Sequence, residues 1–143
     1  MTGYIRPMMV TALLLRALAN PAAAQACARA DFEAVVDQAS STLVELTQTN
    51  TPSFQDRLRQ LKTKRGWTNE QLVREGAPFV RDDVVRAFDE RSEGLLMKIN
   101  SQGGTGADCG VLTDLRATLA ELIQTQTRKW AHMFEKIDQE LAK

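Results

Sequence analysis

The side chains best equipped for chemistry in this 143-residue chain are two cysteines, one histidine and a knot of basic residues. Cys27 and Cys109 are the only thiols, 82 positions apart. An even pair in an oxidising compartment favours a disulfide, with free thiols or intermolecular pairing as the alternatives. Two thiolates are too few for a four-cysteine metal site. They also lack the C-x-x-C spacing that lowers a thiol pKa for redox catalysis.

His132 has no second histidine to share a metal. Thr125, Arg128, Lys129, Lys136 and Gln139 fall on its side of a helix, opposite a leucine stripe, so it is expected in solvent. The acids Asp82, Asp83, Asp89 and Glu90 lack the alternating oxygen spacing of a calcium loop. Asp82 and Asp83 instead suit the first turn of a helix, where the dipole favours anions. Arg57, Arg59, Lys62, Lys64 and Arg65 form the most uneven charge feature. They are expected to make a solvated basic face, with an anionic partner or a membrane surface as the alternative. Gln126 interrupts an apolar stripe, and Arg116 lies a few turns before it. An enzyme built into a helical bundle would need such a Gln aimed inward beside several arginines. No catalytic residue, metal ligand or cofactor site is assigned on these signals. The glycines of Ser101–Gly106 match neither a dinucleotide fingerprint nor a P-loop, because no lysine follows.

Whatever these residues do, the elements that carry them read as helices. Phe32, Val35, Val36, Ala39, Leu43 and Leu46 recur at helical spacing and predict a first helix from about Ala28 to Thr49. Asn50-Thr51-Pro52 reads as a break, with Thr51 capping a second helix that starts at Pro52. That helix carries Phe54, Leu58 and Leu61 and ends at Gly66. Thr68-Asn69-Glu70-Gln71 is a capping-box pattern and opens a short third helix ending near Gly76. A fourth follows from about Pro78 or Arg81 to Asn100, with Val84, Val85, Phe88, Leu95, Leu96 and Ile99 as its apolar positions. The last runs from about Asp108 to Ala142 on Leu112, Leu115, Leu119, Leu122, Trp130, Met133, Ile137 and Leu141. The fold class is therefore all-α, a helical bundle of four main helices plus one short connector. A Cys27–Cys109 bridge would join the starts of the first and last helices and make them parallel. Four helices joined by short turns leave the first and last antiparallel, so the connector is expected to change the sense.

Residues 1–26 read differently. Arg6, an apolar run from Met8 to Ala19, a break at Asn20-Pro21 and the small residues Ala24 and Ala26 follow the order of a secretory signal peptide. The run would span roughly 18 Å as a helix, short of the ~30 Å hydrocarbon core. Cleavage is expected after Ala26, leaving residues 27–143 as the helical-bundle domain with no stable membrane span. Lipidation of a Cys27 at the new N-terminus is a lesser alternative, because Ala24 stands where lipoprotein signals carry leucine.

The whole chain is neutral, with 18 Lys and Arg against 18 Asp and Glu. The leader holds Arg6 and Arg16 and no acid, so residues 27–143 carry 16 basic and 18 acidic groups, a net −2. That excludes a strongly basic nucleic-acid binder. The expectation is a periplasmic or secreted, non-enzymatic binding module whose partner is a protein or a small molecule. A bundle carrying a small apolar or anionic ligand, and a small all-α secreted enzyme, are the alternatives.

Overall fold

A computed structural model describes residues 27–102 and 108–143. The leader expected over residues 1–26, and most of the glycine-rich stretch, lie outside the described residues. The described chain is all-α, with helices α1 (Arg29–Arg65), α2 (Asn69–Val80), α3 (Asp83–Gln102) and α4 (Cys109–Ala142).

Three of these helices are long and one is short. The expected break at Asn50–Pro52 is absent: α1 runs through Pro52 as one 37-residue helix, about 55 Å in length. Packing against α4 overrides the local stop signal. Ala39 on one side of the proline, and Phe54 and Leu61 on the other, are all buried along one side of the helix. Phe54 sits edge-on to Trp130 and Phe134, with ring centroids 6.2 and 5.6 Å apart. These contacts hold Phe54 in helical register with the residues before the proline. Polar side chains crowd the same stretch. Thr42, Thr47, Asn50 and Ser53 each donate to the carbonyl four residues back, at 2.7–3.2 Å.

Merging the first two expected helices changes the topology argument. With α1, α3 and α4 as the long elements, the up-down-up order makes α1 and α4 parallel without any special return. The Cys27–Cys109 bridge joins their starts, with Cα atoms 5.1 Å apart. Arg57 and Arg65 reach Asp138 and Glu140 at the opposite end. α3 runs antiparallel to α4, since Asp89 meets Lys129 and Asp82 meets His132 and Lys136. α4 packs extensively against both α1 and α3.

The termini follow their sequence signals. Gly66 takes φ 65°, a left-handed value that suits glycine, and the chain there returns hydrogen bonds to Lys62 and Thr63. The capping box forms: the Thr68 amide donates to Gln71 Oε1 at 2.8 Å, and the Gln71 amide donates to Thr68 Oγ1 at 3.2 Å. α2 continues past the expected end near Gly76 to Val80, with Pro78 inside it. Gly76 is buried, and a Cβ placed there would lie 3.6 Å from Leu58, so α2 sits close on α1. Asp82 caps α3 by accepting from the Val85 amide at 2.7 Å, and Asp108 caps α4 by accepting from the Gly110 amide at 2.7 Å.

The core has two unequal parts. At the end where α1 and α4 finish, Phe54, Leu61, Phe79, Val85, Met133 and Ile137 are buried, with Leu58, Trp67, Trp130 and Phe134 against them. At the disulfide end Ala39, Leu115 and Leu119 form a smaller buried cluster, flanked by Phe32, Val35, Ile99 and Ile123, and Leu95, Leu112 and Leu122 are buried as well.

Gly94, inside α3, has open space where a Cβ would point. Gly94→Ala is therefore expected to raise stability by about 0.5–1 kcal/mol, read as a higher urea midpoint at unchanged slope.

Candidate functional site

A groove lies between α1 and α4. It consists of two adjoining open cavities of about 250 and 280 Å³ that share Thr42 and Ile123. One is lined by Val35, Gln38, Ala39, Arg116, Leu119 and Ala120 besides the shared pair. The other is lined by Glu45, Leu46, Thr49, Asn50 and Thr127. On α1 these positions recur every three or four residues from 35 to 50, and on α4 from 116 to 127, so each helix offers one face. The groove is about 22 Å long at 1.5 Å per residue. Its floor is aliphatic and its walls are mostly threonine, alanine and amide side chains. Among the described lining residues, Glu45 on one wall and Arg116 on the other are the only charged ones.

The side of α4 facing α3 carries a polar ladder instead. The Gln126 amide donates to Ser92 Oγ at 2.8 Å, and Ser92 donates on to the Phe88 carbonyl at 2.8 Å. Lys129 pairs with Asp89 at 2.5 Å. Asp82 is a hub. One carboxylate oxygen accepts from the Val85 amide, and the other lies 2.6 Å from Lys136 Nζ and 2.8 Å from His132 Nε2. Lys136 also donates to the Pro78 carbonyl at 2.6 Å. The corner between α2 and α3 is thus tied to α4. Burial pulls the Asp82 pKa upward. The hydrogen bonds from Lys136, Val85 and His132 outweigh it and hold the carboxyl well below the usual carboxylate range.

This depressed pKa makes a stability prediction with a definite sign. The ionised form is favoured in the folded chain, so the stabilisation is complete above the unfolded-chain value of about 3.9. It is lost progressively as pH falls below that value. Asp82→Asn keeps a capping side chain but removes the charge, and is expected to cost about 2 kcal/mol at pH 7. Thermal melts at pH 7 and pH 3 check this. The gap between wild type and variant narrows at the lower pH, and a gap that stays constant contradicts the assignment.

These contacts bear on several expectations. His132 does not stand in solvent, because its ring is held against Asp82 with 24% of the side chain exposed. The basic group on α1 is a largely solvated face, as expected, and its members also find partners there. Arg57 pairs with Asp138 and lies 4.7 Å over the Phe134 ring. Arg59 pairs with Asp56, Lys62 bonds Asn69, Lys64 donates to the Leu141 carbonyl, and Arg65 pairs with Glu140. Gln126 and Arg116 lie on different sides of α4, one bonded to α3 and one in the groove, so they form no common cleft. Cys27 and Cys109 are joined, which is the one site assignment made from the sequence that the structure displays. Among the described residues, no group of three or more His, Cys, Asp or Glu is placed to hold a metal. No described helix is long and apolar enough to cross a membrane.

Sequence reasoning missed both the groove and the Asp82 hub. The hub had a signal: Lys129, His132 and Lys136 share a face at spacings of three and four, which calls for acids on a facing helix. The groove had none, because its floor belongs to the apolar stripes of α1 and α4 and its walls look like a solvated face.

The charges also sort by position. The disulfide half of the bundle (residues 27–50, 90–102 and 108–128) holds nine acidic and five basic side chains, a net −4. The other half (residues 51–89 and 129–143) holds nine acidic and eleven basic, a net +2.

Comparison with known proteins finds no family model, curated protein or solved structure that matches this chain.

Proposed function

We propose that the chain is exported and, once cleaved, acts as a non-enzymatic binding module of the cell envelope. Its groove between α1 and α4 receives a helix of a partner protein. The observation that carries this reading is the groove itself: an open trough with an aliphatic floor and polar walls that carry one acid, Glu45, and one base, Arg116. A helix of about four turns fits its 22 Å span, as in helix-in-groove recognition. An open trough suits a segment of a larger partner better than an enclosed small ligand, whose site buries most of the ligand surface. Export is supported by the order of residues 1–26 and by a disulfide in the domain that follows. The Cys27 sulfur is engaged in that bridge and is not left for a lipid thioether.

Two measurements test the two halves of the proposal. Intact-mass analysis of protein from the native envelope should show a chain beginning at Cys27. Reduction should add the mass of two hydrogens. A mature chain that retains residues 1–26 contradicts export with cleavage. For binding, a photo-crosslinking residue at Thr42 or Ala120 should capture one partner in the envelope, while the same residue at Ala87 on α3 should not. Equal capture from all three positions contradicts the groove.

A further inference from the structure

We propose that residues 29–50 of α1 form a redox-released arm: reduction of Cys27–Cys109 frees this segment from α4 while the remainder of the bundle stays folded. Control of binding by this arm rests on the groove reading above, whereas the release itself does not.

The first observation is the contrast between the two halves of α1. Beyond Pro52, Phe54 and Leu61 are buried, and Arg57, Lys64 and Arg65 are bonded to α4. Before it, Ala39 is the only buried residue. Among the described residues, every side-chain hydrogen bond and ion pair made by 29–50 stays within α1 or its cap. On the inner side of this segment only Phe32, Val35 and Ala39 join the small cluster with Leu115 and Leu119, and from Thr42 to Asn50 that side is the wall of the open groove. The disulfide is therefore the one covalent tie at that end, beside a small apolar cluster. Few buried apolar contacts and solvent-reachable backbone bonds mark a segment that opens locally.

The second observation is a hinge in the right place. Pro52 has no N–H, so the Gln48 carbonyl loses its donor four residues on. Asn50 and Ser53 direct their side chains to the Leu46 and Thr49 carbonyls around the same turn. The helix is weakest where the well-packed half ends. It is the point the sequence marks as a boundary.

The third observation is access. Cys27 and Cys109 are both partly exposed, so a thiolate can reach the bridge. A dithiol reductant attacks one sulfur and releases the other as a thiolate. Its second thiol then resolves the mixed disulfide. The bridge gains two electrons and two protons and becomes two thiols, and the reductant leaves as a disulfide. With the bridge open, the arm swings at Pro52 and the α1 wall of the groove leaves with it.

Native-state hydrogen exchange on the intact protein, oxidised and then reduced with dithiothreitol, tests the release. Amides of 29–50 should exchange at least about tenfold faster after reduction, while those of 54–65 and 129–141 keep their protection. Unchanged exchange in 29–50, or an equal loss of protection in every helix, overturns the proposal. Pro52→Ala restores the missing backbone donor and should partly recover arm protection in the reduced protein. No recovery overturns the hinge. Crosslinking from Thr42 in both redox states separates the two readings. Capture in neither state removes the groove reading and leaves the arm standing. Equal capture in both states removes redox control of the groove.

Discussion

Replacing Cys27 and Cys109 together by serine is expected to lower the unfolding free energy by about 3–5 kcal/mol, the largest effect of any change outside the core. The bridge closes a loop with a sequence separation of 82 residues. The chain-entropy account assigns such a loop about 4–5 kcal/mol at 25 °C. Urea denaturation of oxidised wild type and the double serine variant measures the difference. The slope of the transition carries further information, because it scales with the surface exposed on unfolding. If residues 29–50 are detached before the main transition, the variant shows a smaller slope as well as a lower midpoint. A change below about 1 kcal/mol would mean that packing, not the bridge, holds the disulfide end together.

Truncation in the larger core comes second. Leu61 and Ile137 are fully buried, one on α1 and one on α4, in the cluster that also holds Phe54 and Met133. Leu61→Ala and Ile137→Ala are each expected to cost about 3–4 kcal/mol, the transfer of the lost methyl groups plus the cavity left behind. Leu115→Ala is expected to cost nearer 2 kcal/mol, the bottom of that range. Leu115 is 2% exposed, but its cluster borders an open groove into which neighbours can relax. Equilibrium urea unfolding of the three variants ranks them. Finding Leu115→Ala the most damaging would reverse the assignment of the stronger core.

The helical nature of nearly every segment was readable from apolar spacing, because each long helix buries one stripe. The capping box at Thr68 and the glycine cap at Gly66 were readable for a local reason: a few neighbouring residues make all the bonds involved. Pro52 was misread because its effect is decided elsewhere. Asn50-Thr51-Pro52 is a sound local stop, yet Phe54 docks against Trp130 and Phe134, more than seventy positions later. No local rule weighs a contact at that range. Of the site, the cysteine pairing followed from there being only two. The Asp82 hub was half legible, its basic side visible on α4 and its acid assignable only once α3 is known to run antiparallel. The groove depends on the shape between two helices that are both unremarkable in composition.

The separation of charge along the bundle has an electrical consequence. A net charge of −2 on residues 27–143 would by itself make copies repel one another weakly. With −4 at one end and +2 at the other, on helices about 50 Å long, the molecule is a large permanent dipole. At low ionic strength, where the Debye length reaches about 30 Å, an anionic surface turns the α1–α4 C-terminal end toward itself and the disulfide end away. At physiological salt that length falls to about 8 Å, and the orienting torque fades with it.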